Sequence, residues 1–243
     1  MFKDTSKVII ACITAVLITV VLVFAFMNRN RANDVISVTG LVERDFVADL
    51  IVWNGSFTTK DVELKAAFQQ LKQHRAMIRE FLDQKKIPPK QILFSSVEIA
   101  KEFKSTYSKE RGQTREFTGY RLTQRIDIES RDIDKIEALS REITELINSG
   151  IEINSSAPSY YYTKLGKLKI EMLALATANA RVRAQKIAQN SGGELGKLKY
   201  AKLGVFQIIA QNSSEQYTWS GAYNTSAKNK TGAVTVKLQY ELQ

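Results

Sequence analysis

The chain has 243 residues, a net charge of +10, 44% hydrophobic and 9% aromatic residues, one histidine and one cysteine. A single cysteine excludes an intramolecular disulfide framework and a cysteine-based zinc site, and a single histidine excludes a multi-histidine metal centre. A basic balance suits anionic partners, but the lysines and arginines are dispersed rather than blocked together, which is the pattern of a solvated surface and predicts no nucleic-acid partner.

The first element is an unbroken apolar run, VIIACITAVLITVVLVFAFM, from Val8 to Met27. A helix of about twenty residues rises about 30 Å, the thickness of a bilayer's hydrocarbon core. With no charge inside it, the run favours insertion by about 4 to 8 kcal/mol. It is longer than a secretory signal core and ends in Phe26-Met27-Asn28-Arg29 without an Ala-x-Ala pattern, so a retained single-pass anchor is expected over a cleaved leader. Cys12 has too little apolar chain upstream for lipidation and reads as a small buried residue. Lys3 and Lys7 balance Arg29 and Arg31, which leaves the positive-inside comparison tied; the free amino terminus tips it toward an inside N-terminus. The expected organisation is a cytoplasmic stretch 1–7, a membrane anchor 8–27, a linker 28–34 and one folded domain 35–243.

Within that domain, Val35–Val42 reads as a strand interrupted by Gly40, and Phe46–Phe57 as a second strand broken at Asn54-Gly55. A helix is predicted from Thr59 to Gln84, with Leu64, Phe68, Leu71, Ile78 and Leu82 on one stripe and Pro88-Pro89 barring its continuation. Gln91–Lys104 and Glu116–Glu129 read as long strands; in the second, Tyr120, Leu122, Ile126 and Ile128 alternate with polar residues. Ser105–Arg115 between them reads as a mobile hairpin loop. A helix over Asp132–Asn148 stops at Gly150, Ile151–Tyr162 is a strand candidate, and an alanine-rich helix spans Lys167–Asn190, closed by Ser191-Gly192-Gly193. Leu195–Gln211 and Gly232–Leu242 complete the strands, flanking the polar segment Asn212–Thr231. The economical architecture is α+β: a largely antiparallel sheet with helices packed on one face, preceded by one N-terminal transmembrane helix.

Chemistry is sparse along this chain. His74 lies at the edge of the first helix's apolar stripe and reads as a boundary residue rather than a general base. Gly193-Glu194-Leu195-Gly196 follows a helix and reads as a capping turn rather than a nucleic-acid loop. Asp127, Glu129, Asp132 and Asp134 cluster, but Arg125, Arg131 and Lys135 are interleaved, which suits a solvated turn better than a metal cage. Neither a phosphate-binding loop nor a nucleophile elbow occurs, so no catalytic residue, metal or cofactor is expected. Tyr217, Trp219 and Tyr223, set among Ser, Asn, Gly and Thr, are the candidate interface, because Trp and Tyr offer large contact area at modest entropic cost. Tyr160-Tyr161-Tyr162 is a second contact candidate, with core packing favoured. A pocket assembled from distant polar residues, binding or hydrolysing a ligand, is the alternative to a pure interaction domain.

Several strings resemble the SIMPL-domain family, widespread in bacterial envelopes: VISVTGLVERDF at Val35–Phe46, FTGYRLTQRIDIESRDIDKIEAL at Phe117–Leu139, the alanine-rich stretch Leu173–Gly196, and TGAVTVKLQYEL at Thr231–Leu242. The resemblance covers nearly all of Val35–Gln243. It implies a periplasmic or envelope-attached domain outside the bacterial inner membrane, assembly into ring- or channel-like homo-oligomers, an association with stress defence, and no established catalytic residues. It also resolves the orientation tie in favour of a domain outside the cytoplasm.

Overall fold

The computed structural model describes residues 13–26, 35–108 and 112–243. Residues 13–26 form helix α1, with every side chain exposed and none in a hydrophobic core. Among the described residues no helix is long and apolar enough to cross a membrane. The expected transmembrane helix is therefore not among the observed elements; Val8–Cys12 and Met27 of that run, residues 1–7 and the linker 28–34 lie outside the described residues.

The domain is α+β, but its strands form two antiparallel sheets rather than the one expected. A 4-stranded sheet has the order β1 (Val35–Val47), β9 (Asn229–Leu242), β7 (Leu195–Leu203), with β8 (Gln207–Ala210) also paired to β9. A 5-stranded sheet has the order β3 (Ile92–Ser108), β4 (Gly112–Ser130), β2 (Leu50–Asp61), β5 (Glu152–Ser155), with β6 (Ser159–Tyr161) also paired to β2. Each sheet has its own core, so two separate cores replace one.

On the five-stranded sheet, Trp53 and Phe57 of β2 and Leu122, Ile126 and Ile128 of β4 are fully buried beneath helices α2 (Leu64–Gln84) and α3 (Ile133–Glu142). Each such side chain contributes about 1.5–3 kcal/mol, so packing rather than propensity places these helices. The stripe of α2 is Ala67, Leu71, His74, Ile78 and Leu82; Leu64 and Phe68, expected in it, are exposed. The helix begins later than predicted because Thr59–Asp61 still pair with Leu122–Tyr120 of β4. Asp61 then closes the turn by accepting from the Glu63 backbone N–H at 2.8 Å. Asp132 caps α3 by accepting from the Lys135 N–H, and Gly150, at φ +81°, ends the 3-10 turn Ile143–Ser149 that follows.

On the four-stranded sheet, Ile36, Val38, Val234, Val236 and Leu238 face helix α4 (Leu165–Asn190). That helix presents Leu168, Met172, Ala176, Ala180, Ala184 and Ala188, a stripe at a constant spacing of four. Alanine lets the helix axis approach the sheet closely, and Gly40 sits where the approach is closest. Gly40 therefore does not interrupt β1, and Asn54-Gly55 do not break β2: they pair with Asp127 and Ile126.

Two further expectations change. Most of the segment read as a mobile loop, Ser105–Arg115, is strand, with the register running from Ser105↔Arg115 to Ser108↔Gly112; residues 109–111 lie outside the described residues. Leu195–Gln211 is two strands, parted where Gly204 crosses Thr235.

The two sheets meet where β1 passes into β2. The Asp49 carboxylate accepts from the Thr163 backbone N–H at 2.6 Å and from its hydroxyl at 2.8 Å. Lys228 Nζ donates to Asp134 of α3 at 2.5 Å, and the Tyr160 N–H donates to the Thr225 carbonyl at 2.7 Å. Tyr160-Tyr161-Tyr162 belong to this seam: burial and a hydrogen bond with Glu137 push the Tyr160 hydroxyl up to about 12, and Tyr162 packs against Phe46 at 4.9 Å between ring centroids.

Candidate contact surfaces

The segment between β8 and β9 is polar, yet it is pinned along its length. Gln207, 7% exposed, donates through Nε2 to the Thr218 carbonyl at 2.8 Å and accepts through Oε1 from the N–H groups of Ala222 and Thr218 at 2.7 and 3.2 Å. Glu215 accepts from the Ala210 N–H and from Asn224 Nδ2, and Ala222 and Asn224 exchange backbone hydrogen bonds with Ile208. Lys230 is buried beneath the segment and donates to the Asn224 carbonyl at 2.5 Å; burial lowers its pKa while Glu215 opposes that shift. A backbone held by so many bonds presents its side chains in place.

Of the three candidate aromatics, two come together. Tyr217 and Trp219 line an open groove of about 440 Å³ with Leu41, Lys202, Val205 and Thr235. Trp219 is 100% exposed. Tyr217 donates to Glu43 Oε1 at 3.0 Å, and burial together with that bond raises its pKa. Tyr223 lies apart from the groove, near Tyr161, and its hydroxyl is shifted upward mainly by burial.

A second surface escapes a reading by periodicity. The β3–β4 ribbon runs beyond the helices as an arm, exposed on both faces from Lys104 to Tyr107 and from Gln113 to Thr118. Along it, Phe103 and Phe117 pack edge to face at 5.8 Å, Phe117 meets Tyr120 at 5.2 Å, and the Arg115 guanidinium lies 5.1 Å over Phe103. Tyr107 is 77% exposed near the tip. At the base, Leu64, Phe68, Ile99 and Tyr120 line a second groove, of about 500 Å³. An arm of two strands alone is marginally stable in water, so these ring contacts and any outside contact matter to it. Phe103, Phe117 and Tyr120 fell within the predicted strands and only Tyr107 in the segment read as a loop; that the strands continue past the helices as an arm is not a periodic signal.

The remaining candidates have structural settings. His74 is buried within the α2 stripe, not at its edge; its Nδ1 has no hydrogen-bond partner among the described residues and desolvation lowers its pKa. Gly193 donates its N–H back to the Ala188 carbonyl at 3.0 Å, as a capping turn does. The clustered carboxylates are dispersed in use: Asp127 accepts from Asn54, Asp132 caps α3, and Asp134 pairs with Lys228. Among the described residues no group of His, Cys, Asp and Glu is arranged to hold a metal ion.

Two antiparallel sheets, one backed by α2 and α3 and the other by α4, define an α+β module. Residues 36–241 match the profile of SIMPL, a family described as a protein of unknown function (DUF541), and the chain belongs to that family. No curated protein matches the chain significantly.

Proposed function

We propose that this protein is a non-enzymatic, membrane-tethered envelope protein whose SIMPL domain lies outside the cytoplasm, where it self-associates and contributes to envelope stress defence. The observation that carries the self-association is the β3–β4 arm, a ribbon bearing Phe103, Tyr107 and Phe117 that leaves the body of the domain and is exposed on both faces. A second copy supplies the apolar cover that the arm lacks among the described residues of its own chain, with the groove at Phe68 and Ile99 as its docking place. The tether is supported by α1, which turns Val, Ile, Leu and Phe side chains outward on all sides and touches neither core.

The test is the mass of the full chain in mild detergent, by light scattering, beside a Phe103→Ser/Phe117→Ser variant. A discrete oligomer that the double variant dissociates, at an unchanged melting temperature of the cores, supports the reading. A monomer at every concentration overturns it.

A further inference from the structure

Among the described residues no helix or strand covers the Val35–Leu41 part of the four-stranded sheet's face opposite α4; beyond it the loop carrying Gln211 and Tyr217 reaches Asp45 and Glu43. In β1, Ile36, Val38 and Gly40 turn toward α4, which turns Val35, Ser37, Thr39 and Leu41 to the other side, all exposed. Across the register they continue into Thr235 and Lys237 of β9 and into Tyr200 and Lys202 of β7. We propose that this face, with Trp219 at its rim, seats on the anionic surface of the bilayer to which the chain is tethered. The proposal rests on the tethered reading above and adds a second, separate contact to it.

Charge argues for an anionic surface. Lys202 and Lys237 are Cα partners on adjacent strands, side by side on this face, and neither forms an ion pair among the described residues. Like charges directly opposite one another repel, and a phosphate-bearing surface relieves that. Of the acidic groups nearby, Glu241 is paired with Lys199 at 3.3 Å, whereas Glu43 and Asp45 accept only from the neutral groups of Tyr217, Thr231 and Gln211 and keep their charge. Lys237 pairs with Thr39, four residues along β1 from Glu43 and six from Asp45, so the cationic part of the face is its Val35–Thr39 half.

The apolar part argues for a membrane interface. Trp and Tyr favour the headgroup level of a bilayer, where an apolar ring and a polar N–H or O–H are both satisfied. Trp219 is fully exposed on a segment already pinned by Gln207, so its insertion orders little that is not ordered before. Leu41 and Val205 flank it in the same groove.

Reach allows the contact. The chain from Met27 to Val35 spans at most about 28 Å fully extended. Strand rise places Leu41 about 20 Å along β1 from Val35, whose side chain shares the same face. A tether entering at Val35 therefore brings the face to the surface it leaves.

The two tryptophans give the experiment its readout, because Trp53 is fully buried and Trp219 fully exposed. The full chain is incorporated into vesicles of phosphatidylcholine with or without phosphatidylglycerol, and tryptophan emission and quenching by brominated acyl chains are recorded before a carbonate wash. The expected result is a blue shift and quenching in anionic vesicles only, absent in Trp219→Phe. Lys202→Glu/Lys237→Glu should weaken the effect by roughly fivefold or more per lysine, with the buried Trp53 signal and melting temperature unchanged. Trp219 remaining solvent-exposed in anionic vesicles, or quenched equally in the double variant, overturns the proposal. So does shielding of Trp219 that rises with protein concentration in the absence of vesicles, since the occupant is then a second copy. Release by the carbonate wash overturns the tether alone, and the quenching recorded beforehand still decides the docking.

Discussion

Gly40 of β1 lies directly against the Ala176 carbonyl of α4, so that a Cβ placed on Gly40 would stand 2.2 Å from that oxygen and 2.9 Å from the Ala180 Cβ. The obstruction is helix backbone, which cannot rotate aside. Gly40→Ala should therefore destabilise the fold by at least about 2 kcal/mol, through separation of α4 from the four-stranded sheet. Chemical denaturation measures it; a loss below about 0.5 kcal/mol would show that α4 does not pack this closely.

Gln207 and Trp219 separate what holds the aromatic loop from what the loop displays. Gln207→Ala removes three hydrogen bonds and leaves backbone groups of Thr218 and Ala222 without partners, a loss of about 1–3 kcal/mol and faster hydrogen exchange at the Ala222 amide. Trp219→Ala should change stability by no more than about 0.5 kcal/mol, since the side chain is fully exposed. Equal stability losses in the two variants would mean that Trp219 packs on the domain.

Asp49 joins the sheets through one residue. Both of its carboxylate oxygens are taken by Thr163, one by the backbone N–H and one by the hydroxyl. Asp49→Ala should cost about 1.5–3 kcal/mol, and Thr163→Val, which keeps the backbone bond, should cost less. Denaturation midpoints of the two variants check the order; the reverse order would place the energy in the hydroxyl.

His74 should make the fold sensitive to acid. Burial without a partner for Nδ1 holds its pKa below 6.5, so below pH 6.5 the unfolded chain takes up a proton before the folded one does. This contribution is fully present above pH 6.5 and is lost as pH falls toward and through the folded pKa. Denaturation at about pH 7.5 and about pH 5.5 should show a loss in the wild type that His74→Met reduces. Identical losses in both would assign the acid sensitivity to other groups.

The helices were legible in the sequence because apolar spacing is a one-dimensional signal, although the face of α2 was only partly so: Leu71, Ile78 and Leu82 are buried as spaced, Leu64 and Phe68 are not. Ile136, Leu139 and Leu146 are buried where the 3.6-residue period put them, and Leu122, Ile126 and Ile128 where alternation did. The division into two sheets was not legible, because β1 finds its partner in β9 at the far end of the chain and no local pattern records that pairing. Gly40 read as a strand breaker for a related reason: what it makes room for, the Ala176 carbonyl, is brought there by tertiary packing, whereas Gly55 makes room for the ring of Trp53, its neighbour two residues away on the same strand face. Among the candidate residues, Tyr217 and Trp219 share a groove as their proximity in sequence suggested. The lysines that flank it, Lys202 and Lys237, become neighbours only through the register of β7 on β9.

That register of β1 on β9 has a consequence for how the chain comes into being. The five-stranded unit is continuous, from Leu50 to Tyr161, and every pairing it needs is available once that stretch is made. The four-stranded unit is split around it: β1 is among the first strands synthesised, and its partner is the last. Until Leu242 has emerged, β1 waits with both edges open and α4 has only part of a sheet to lie on. The inner unit's pairings are therefore available before those of the outer one, and the loss of β9 should strip β1 of its ladder while sparing the sheet nested within.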